Sequence, residues 1–162
     1  MRAAVAVGSN LGERAALIQA AAAAIDASGL ARIVARSRLW QNPAVGGPPG
    51  QQDFLNGAWL VDTELGPHGL LRLLQRIEDQ IGRVRTVAWG SRRIDLDLVL
   101  IADGRLVDSA VLRVPHPGLV ERDFVLLPLA EIAGDWVHPT VGRRIADLAE
   151  PWRRLVGDCR RG

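Results

Sequence analysis

The chain reads as short apolar runs alternating with amphipathic stretches. Ala3 to Val7 (AAVAV) is a compact apolar run closed by Gly8, which predicts a buried strand, and Gly8-Ser9-Asn10 is turn chemistry. Leu11 to about Ala27 is Ala-rich and favours a helix, with Ser28-Gly29 as its stop. Arg32 to Trp40 alternates Ile33, Ala35, Ser37 and Leu39 with Val34, Arg36, Arg38 and Trp40, which predicts one continuous strand. Gln41 to Asp53 (QNPAVGGPPGQQD) is a loop rich in Gly, Pro and polar residues. Strand character resumes over Phe54 to Leu65. Gly66-Pro67 then opens a helix to about Ile81, with Leu70, Leu71, Leu74, Ile77 and Ile81 on one face and Gly82 as its end.

RVRTVAWGSR, from Arg83, is a second loop, this one bearing arginines. Ile94 to Ile101 is the next strand. Past Asp97 it is apolar on both faces, which predicts a place inside the sheet. ADGRLV predicts a hairpin turn into a further strand, VLLPLAEIA a buried helix, and WVHPTVGRRIADL a short extended piece before a final helix. The order is β-α-β-β-α-β with a C-terminal extension. It predicts an α+β fold of ferredoxin-like type, an antiparallel sheet covered by helices, as a single domain over residues 1–162.

Composition narrows the chemistry. The 162 residues are 48% hydrophobic, enough for a substantial core, and the 20 basic and 18 acidic residues leave a net charge of only +2. That balance does not call for a nucleic-acid partner. Every basic residue is Arg, so a phosphate-binding loop ending in Lys is excluded and any phosphate must be held by guanidinium groups. Cys159 is the single cysteine, so neither an internal disulfide nor a cysteine-based zinc site is expected. The first residues do not form a signal peptide and no stretch is apolar enough to span a membrane, so the expected location is the cytoplasm.

Asp95 and Asp97 stand out. On a strand they share a face, roughly 7 Å apart, while Ile94, Leu96 and Leu98 anchor the other. Two solvated carboxylates on an exposed edge are the plain reading. A cation site is the alternative, because paired like charges on a mostly buried strand need compensation. Oxygen-only ligands suit Mg²⁺, completed by water and substrate phosphates. Arg83, Arg85, Arg92 and Arg93 cluster around Trp89 and Gly90, as a solvated loop or as a grip on polyphosphate. His116, set between two prolines, is a candidate acid, base or hydrogen-bonding group; His68 and His138 have weaker claims. Asn56 can read the amide-like edge of a heterocycle, and Phe54 and Phe124, the only Phe residues, can flank a flat ring or simply fill the core.

The motifs GSNLG, FLN, QRIEDQIGRVR, WGSRRIDLDLVLI and VPHPGLVERDFVLLPLAEIA, in that order from about Ala3 to Leu148, closely resemble the 6-hydroxymethyl-7,8-dihydropterin pyrophosphokinase family of folate biosynthesis. The resemblance implies transfer of pyrophosphate from ATP to the pterin hydroxymethyl oxygen, with release of AMP. It implies Asp95 and Asp97 as ligands of two Mg²⁺ ions, and Arg83 and Arg92 as grips on the transferring group. Gln75, Glu78, Arg85, His116 and Arg122 would contact ATP, and Trp89 would close over the site. Asn56 would read the pterin, Phe54 and Phe124 would hold its ring, and Val45 and Gly46 would lie beside it. The implied partners are the two small molecules alone, with no nucleic acid or membrane, and the chain is expected to act as a monomer. Four positions depart from the family pattern: Ala88 and Val111 where a basic residue is usual, Ser91 for Pro, and Pro117 for an aromatic. They bear on rate and affinity rather than on reaction type. A weak paralogue that binds pterin or ATP without turnover, and a non-catalytic nucleic-acid-binding module, are the competing readings.

Overall fold

The computed structural model describes residues 1–43, 49–82 and 94–156. The elements run β1 (Arg2–Ser9), α1 (Arg14–Ala27), β2 (Ala31–Arg36), β3 (Trp40–Asn42), β4 (Phe54–Thr63), α2 (Pro67–Ile81), β5 (Asp95–Ile101), β6 (Val107–Asp108), β7 (Arg113–Val114), α3 (Asp123–Ala133) and α4 (Ile145–Val156). The main sheet is antiparallel, in the order β2-β4-β1-β5, with β3 also paired to β4. This is the ferredoxin-like arrangement that the periodicity predicts.

Helices cover both faces. On one, Ile18, Ala21, Ala22 and Ile25 of α1 and Leu70, Leu73, Leu74 and Ile77 of α2 pack on Val5, Val7, Val61, Leu96 and Leu98. On the other, Leu126, Leu129 and Ala130 of α3 and Ile145 and Ala149 of α4 pack on Ala4, Ala58, Leu60 and Leu100. α2 keeps its predicted limits: Pro67 occupies its first turn, where a missing N–H is harmless, and Gly82 stops it at φ +103°.

Three expectations are corrected. First, the strand predicted over Arg32–Trp40 is two strands. Arg36 faces Trp59 while Trp40 faces Asn56, so the stretch between them carries one residue more than its partner. The Ser37 Oγ accepts the Ala58 N–H at 2.9 Å, and the Arg38 N–H turns away to the Glu131 carboxylate. Second, the strand after ADGRLV does not pair with β5. Ala102–Gly104 turn the chain away, and β6 pairs with β7 as a separate ribbon. Third, among the described strands β5 lies at the end of the sheet, not inside it. Its apolar run has another cause. Between Ala4 and Val5 the register jumps from Leu100 to Leu98, so Val99 is a bulge. The bulge switches parity: Leu96 and Leu98 face α1 and α2, Leu100 faces α3, and helices cover both sides.

The C-terminal extension is tied by a bridge between Val137 and Arg144 and by buried His138, whose Nδ1 accepts the N–H groups of Thr140 and Val141. Burial holds the His138 pKa below the ordinary value, so the unfolded chain takes up this proton first as pH falls. Stability from this group is therefore complete above the ordinary histidine range and is lost as pH drops through it towards the depressed folded value. The urea midpoint should fall between about pH 7.5 and 5.5, the window flanking the ordinary histidine value. His138→Asn, which keeps an acceptor without the titration, should flatten part of that fall. A slope identical to wild type would refute the assignment.

Candidate active site

The strand register builds the site. Asp95 on β5 faces Gly8 on β1, Gly8 faces Asn56 on β4, and Asn56 faces Trp40 on β3. These four residues form one row across the sheet, and Asp97, Ala6 and Ala58 form the next. Residues of a row share a face, and this face is α3's, since Trp40, Ala58 and Leu60 belong to the core beneath that helix. Two carboxylates thus stand on one side of a floor of glycine and alanine, and a carboxamide stands on the other.

Gly8 is required by space, not by backbone conformation. A Cβ there would lie 2.6 Å from the Asn56 Oδ1 and 3.6 Å from the Phe54 Cδ1. Asn56 is buried, and its Nδ2 donates to the Oδ1 of buried Asn42. That bond sets the amide so that its oxygen lies over Gly8. Half-buried Phe54 sits two residues earlier on the same strand and face, and half-buried Phe124 occupies the first turn of α3.

Asp95 is half-buried and Asp97 exposed. Two neighbouring elements hold their strand. The Leu96 N–H donates to the Glu78 Oε1 from α2 at 3.0 Å, and the His116 N–H donates to the carbonyl of the bulged Val99 at 2.9 Å. The bulge therefore brings His116 to the carboxylate end. The His116 Nδ1 accepts the Gly118 N–H at 3.0 Å, leaving Nε2 to carry the ring hydrogen. Burial lowers the His116 pKa, the negative charge of Asp97 opposes that shift, and the positive charge of Arg122 adds to it. Arg122 precedes α3, and its guanidinium lies 5.9 Å from the centre of the Phe124 ring. Gln75 is exposed on α2, three residues before Glu78 and on the same flank.

The donor set fits Mg²⁺. Asp95 and Asp97 offer carboxylate oxygens on one face beside alanine and glycine, and among the described residues no three His, Cys, Asp or Glu side chains gather as a complete metal cage. Two carboxylates with the remaining positions left to water and phosphate is the usual Mg²⁺ arrangement.

The structure thus gathers Asp95, Asp97, Glu78, His116 and Arg122 at one end of the row and Asn56 and Phe54 at the other, with Phe124 beside Arg122. Val45, Gly46, Arg83, Arg85, Trp89 and Arg92 lie outside the described residues, as do Arg93, Ala88 and Ser91. Sequence reasoning missed Gly8, Ala6 and Ala58 as a floor, and Asn42 as the partner of Asn56. Small residues in the period-two frame of AAVAVGS and NGA were the available signal for the floor. Asn42 had none, because the extra residue before β3 breaks the frame.

A family model described as 7,8-dihydro-6-hydroxymethylpterin-pyrophosphokinase (HPPK) matches residues 4–134. A protein of Methylorubrum extorquens named 2-amino-4-hydroxy-6-hydroxymethyldihydropteridine pyrophosphokinase is 46% identical over 149 residues, covering 91% of this chain and 93% of that one. One of the same name from Pseudomonas aeruginosa is 44% identical over 144 residues, covering 89% and 87%. Among solved structures, wild-type Plasmodium falciparum HPPK-DHPS superposes with a TM-score of 0.72 at 14% identity. That match covers 97% of this chain and 42% of the longer protein, and at such identity it speaks for the fold alone.

Proposed function

The chain belongs to the 7,8-dihydro-6-hydroxymethylpterin-pyrophosphokinase family, and on that premise we propose that it transfers pyrophosphate from ATP to 6-hydroxymethyl-7,8-dihydropterin, yielding the pterin diphosphate and AMP, in folate biosynthesis. The observation that supports this reading is the row Asp95–Gly8–Asn56, which sets carboxylates and a carboxamide on opposite sides of a glycine on one sheet face.

At the ring end, the Asn56 amide, oriented by Asn42, pairs with the pterin's amide-like edge, and Phe54 and Phe124 hold the ring. By resemblance, Val45 and Gly46 are assigned to the same substrate. At the phosphate end, Asp95 and Asp97 would hold two Mg²⁺ ions, which would supply neutralisation of the triphosphate charge and activation of the hydroxymethyl oxygen. Gln75, Glu78, Arg85, His116 and Arg122 position ATP. His116 does so as a neutral ring whose Nε2–H donates, in keeping with its lowered pKa. Arg83 and Arg92 stabilise charge on the transferring group as the hydroxymethyl oxygen attacks the β-phosphorus in line and AMP leaves. By resemblance, Trp89 is assigned to excluding water, since hydrolysis of ATP is the competing reaction. The whole of residues 1–162 acts as one domain and as a monomer. A nucleic-acid module is the weaker reading, because α3 covers much of this sheet face and the uncovered part bears two carboxylates. Among the described residues, no helix is long and apolar enough to cross a membrane.

The test mixes the chain with ATP, Mg²⁺ and 6-hydroxymethyl-7,8-dihydropterin and follows AMP against ADP. AMP formed only when the pterin is present is the expected result. ADP would mean the phosphate chemistry is misassigned, and tight pterin binding with no nucleotide product would mark a paralogue without turnover.

A further inference from the structure

Glu131 lies outside every site described above, yet one carboxylate makes three contacts there. Its Oε1 accepts the Trp40 indole Nε1–H at 2.9 Å, its Oε2 accepts the Arg38 backbone N–H at 3.0 Å, and the Arg38 guanidinium approaches Oε1 at 3.3 Å. Trp40 is buried, so its bond to this carboxylate is partly withdrawn from water. Charged hydrogen bonds of this kind are stronger than neutral ones.

The placement matters more than the number of contacts. Glu131 follows Phe124 by seven residues on α3, so the two lie on the same flank, about 10 Å apart by helical rise. Trp40 opens β3 and stands in the same row as Asn56. Two residues on, Asn42 accepts the hydrogen bond that sets the Asn56 amide. The Arg38 N–H is the backbone group that the irregularity between β2 and β3 removes from the ladder, and Glu131 takes it. One helix therefore carries Phe124, assigned above to the ring, in its first turn and, two turns later, fastens the strand that orients the Asn56 amide.

We propose that Glu131 is a positioning residue for the ring end of the site, acting through Trp40 and Arg38 to hold β3, and with it the Asn42–Asn56 pair, in register with Phe124. The inference rests on the assignment of that end to the dihydropterin. It is specific to one substrate, because the carboxylate end is held separately by Glu78 and the His116 segment.

Calorimetric binding of 6-hydroxymethyl-7,8-dihydropterin and of ATP to the full chain tests it, with urea unfolding alongside. Glu131→Ala should raise the pterin Kd about tenfold, the equivalent of one strong hydrogen bond, while the ATP Kd stays within about twofold. Glu131→Gln retains an acceptor for the indole and should recover most of the loss. Trp40→Phe should weaken pterin binding in the same direction, and adding it to Glu131→Ala should cost less than the sum of the two. If Glu131→Ala does not fold, Trp40→Phe decides by the same split. An unchanged pterin Kd in a folded but less stable variant would reduce Glu131 to a structural staple. Equal losses for both ligands would also overturn the proposal. Wild-type protein that fails to bind the pterin at all would instead remove the substrate assignment, and this inference with it.

Discussion

Replacing Asp97 by alanine is expected to lower kcat/KM for pyrophosphoryl transfer by at least about a thousandfold, or ~4 kcal/mol of transition-state stabilisation. The urea midpoint should barely move, since surface substitutions usually stay within about 0.5 kcal/mol. The two expectations separate because Asp97 is exposed while its strand is held by others: Leu96 and Leu98 in the core, Glu78 on the Leu96 amide, and the His116 segment on Val99. Removing one of two like charges on the same face also relieves repulsion. The exchange has a second signature that does not depend on turnover. Asp97 is the charge that opposes the burial-driven fall of the His116 pKa. In Asp97→Ala the His116 pKa should drop further, an effect visible by NMR titration of the ring without nucleotide or metal. Asp95→Ala should share the kinetic loss. Near-normal turnover in either variant would refute the metal assignment, and an unmoved His116 titration would refute the electrostatic link.

Local pattern carried α2 completely, because its punctuation is local: Pro67 and Gly82 mark the ends and leucines recur at helical spacing. It also carried the shared face of Asp95 and Asp97 opposite Leu96 and Leu98, because alternation is fixed by the pleat. It did not carry the position of β5. An apolar run reports that both faces are covered, and here helices cover both faces of an edge strand while a bulge at Val99 switches the parity. The same limitation hid the split between β2 and β3. Ser37 and Arg38 fit an alternating strand, and only their distant partners, Ala58 and Glu131, reveal the extra residue. The roles proposed for Asn56 and the carboxylates rest on their chemistry and on the resemblance. The floor between them follows from register, a long-range property that no window of sequence contains.

Gly8→Ala probes that floor. The added methyl would sit 2.6 Å from the Asn56 Oδ1, a distance no real Cβ keeps, so the amide must move. It cannot simply swing aside, because Asn56 is buried and its Nδ2 is bonded to Asn42. The next neighbour, Phe54 at 3.6 Å, is in ordinary contact, so displacement of the Asn56 amide is the direct consequence. Overpacking of this kind costs about 1–3 kcal/mol, and its effect should fall on the group proposed to bind the ring. The pterin Kd is therefore expected to rise about 10- to 100-fold, at ~1.4 kcal/mol per decade. The ATP Kd should remain within about twofold, because no atom of Asp95 is among the three nearest to the new methyl although the residue is Gly8's partner in register. Binding of both ligands measured on one preparation checks this. An unchanged pterin Kd would mean that the floor has slack and that Gly8 is not what leaves room for the reader. Equal losses for pterin and ATP would mean that the two ends of the row do not act separately, and the division of the site between carboxylates and carboxamide would fall with it.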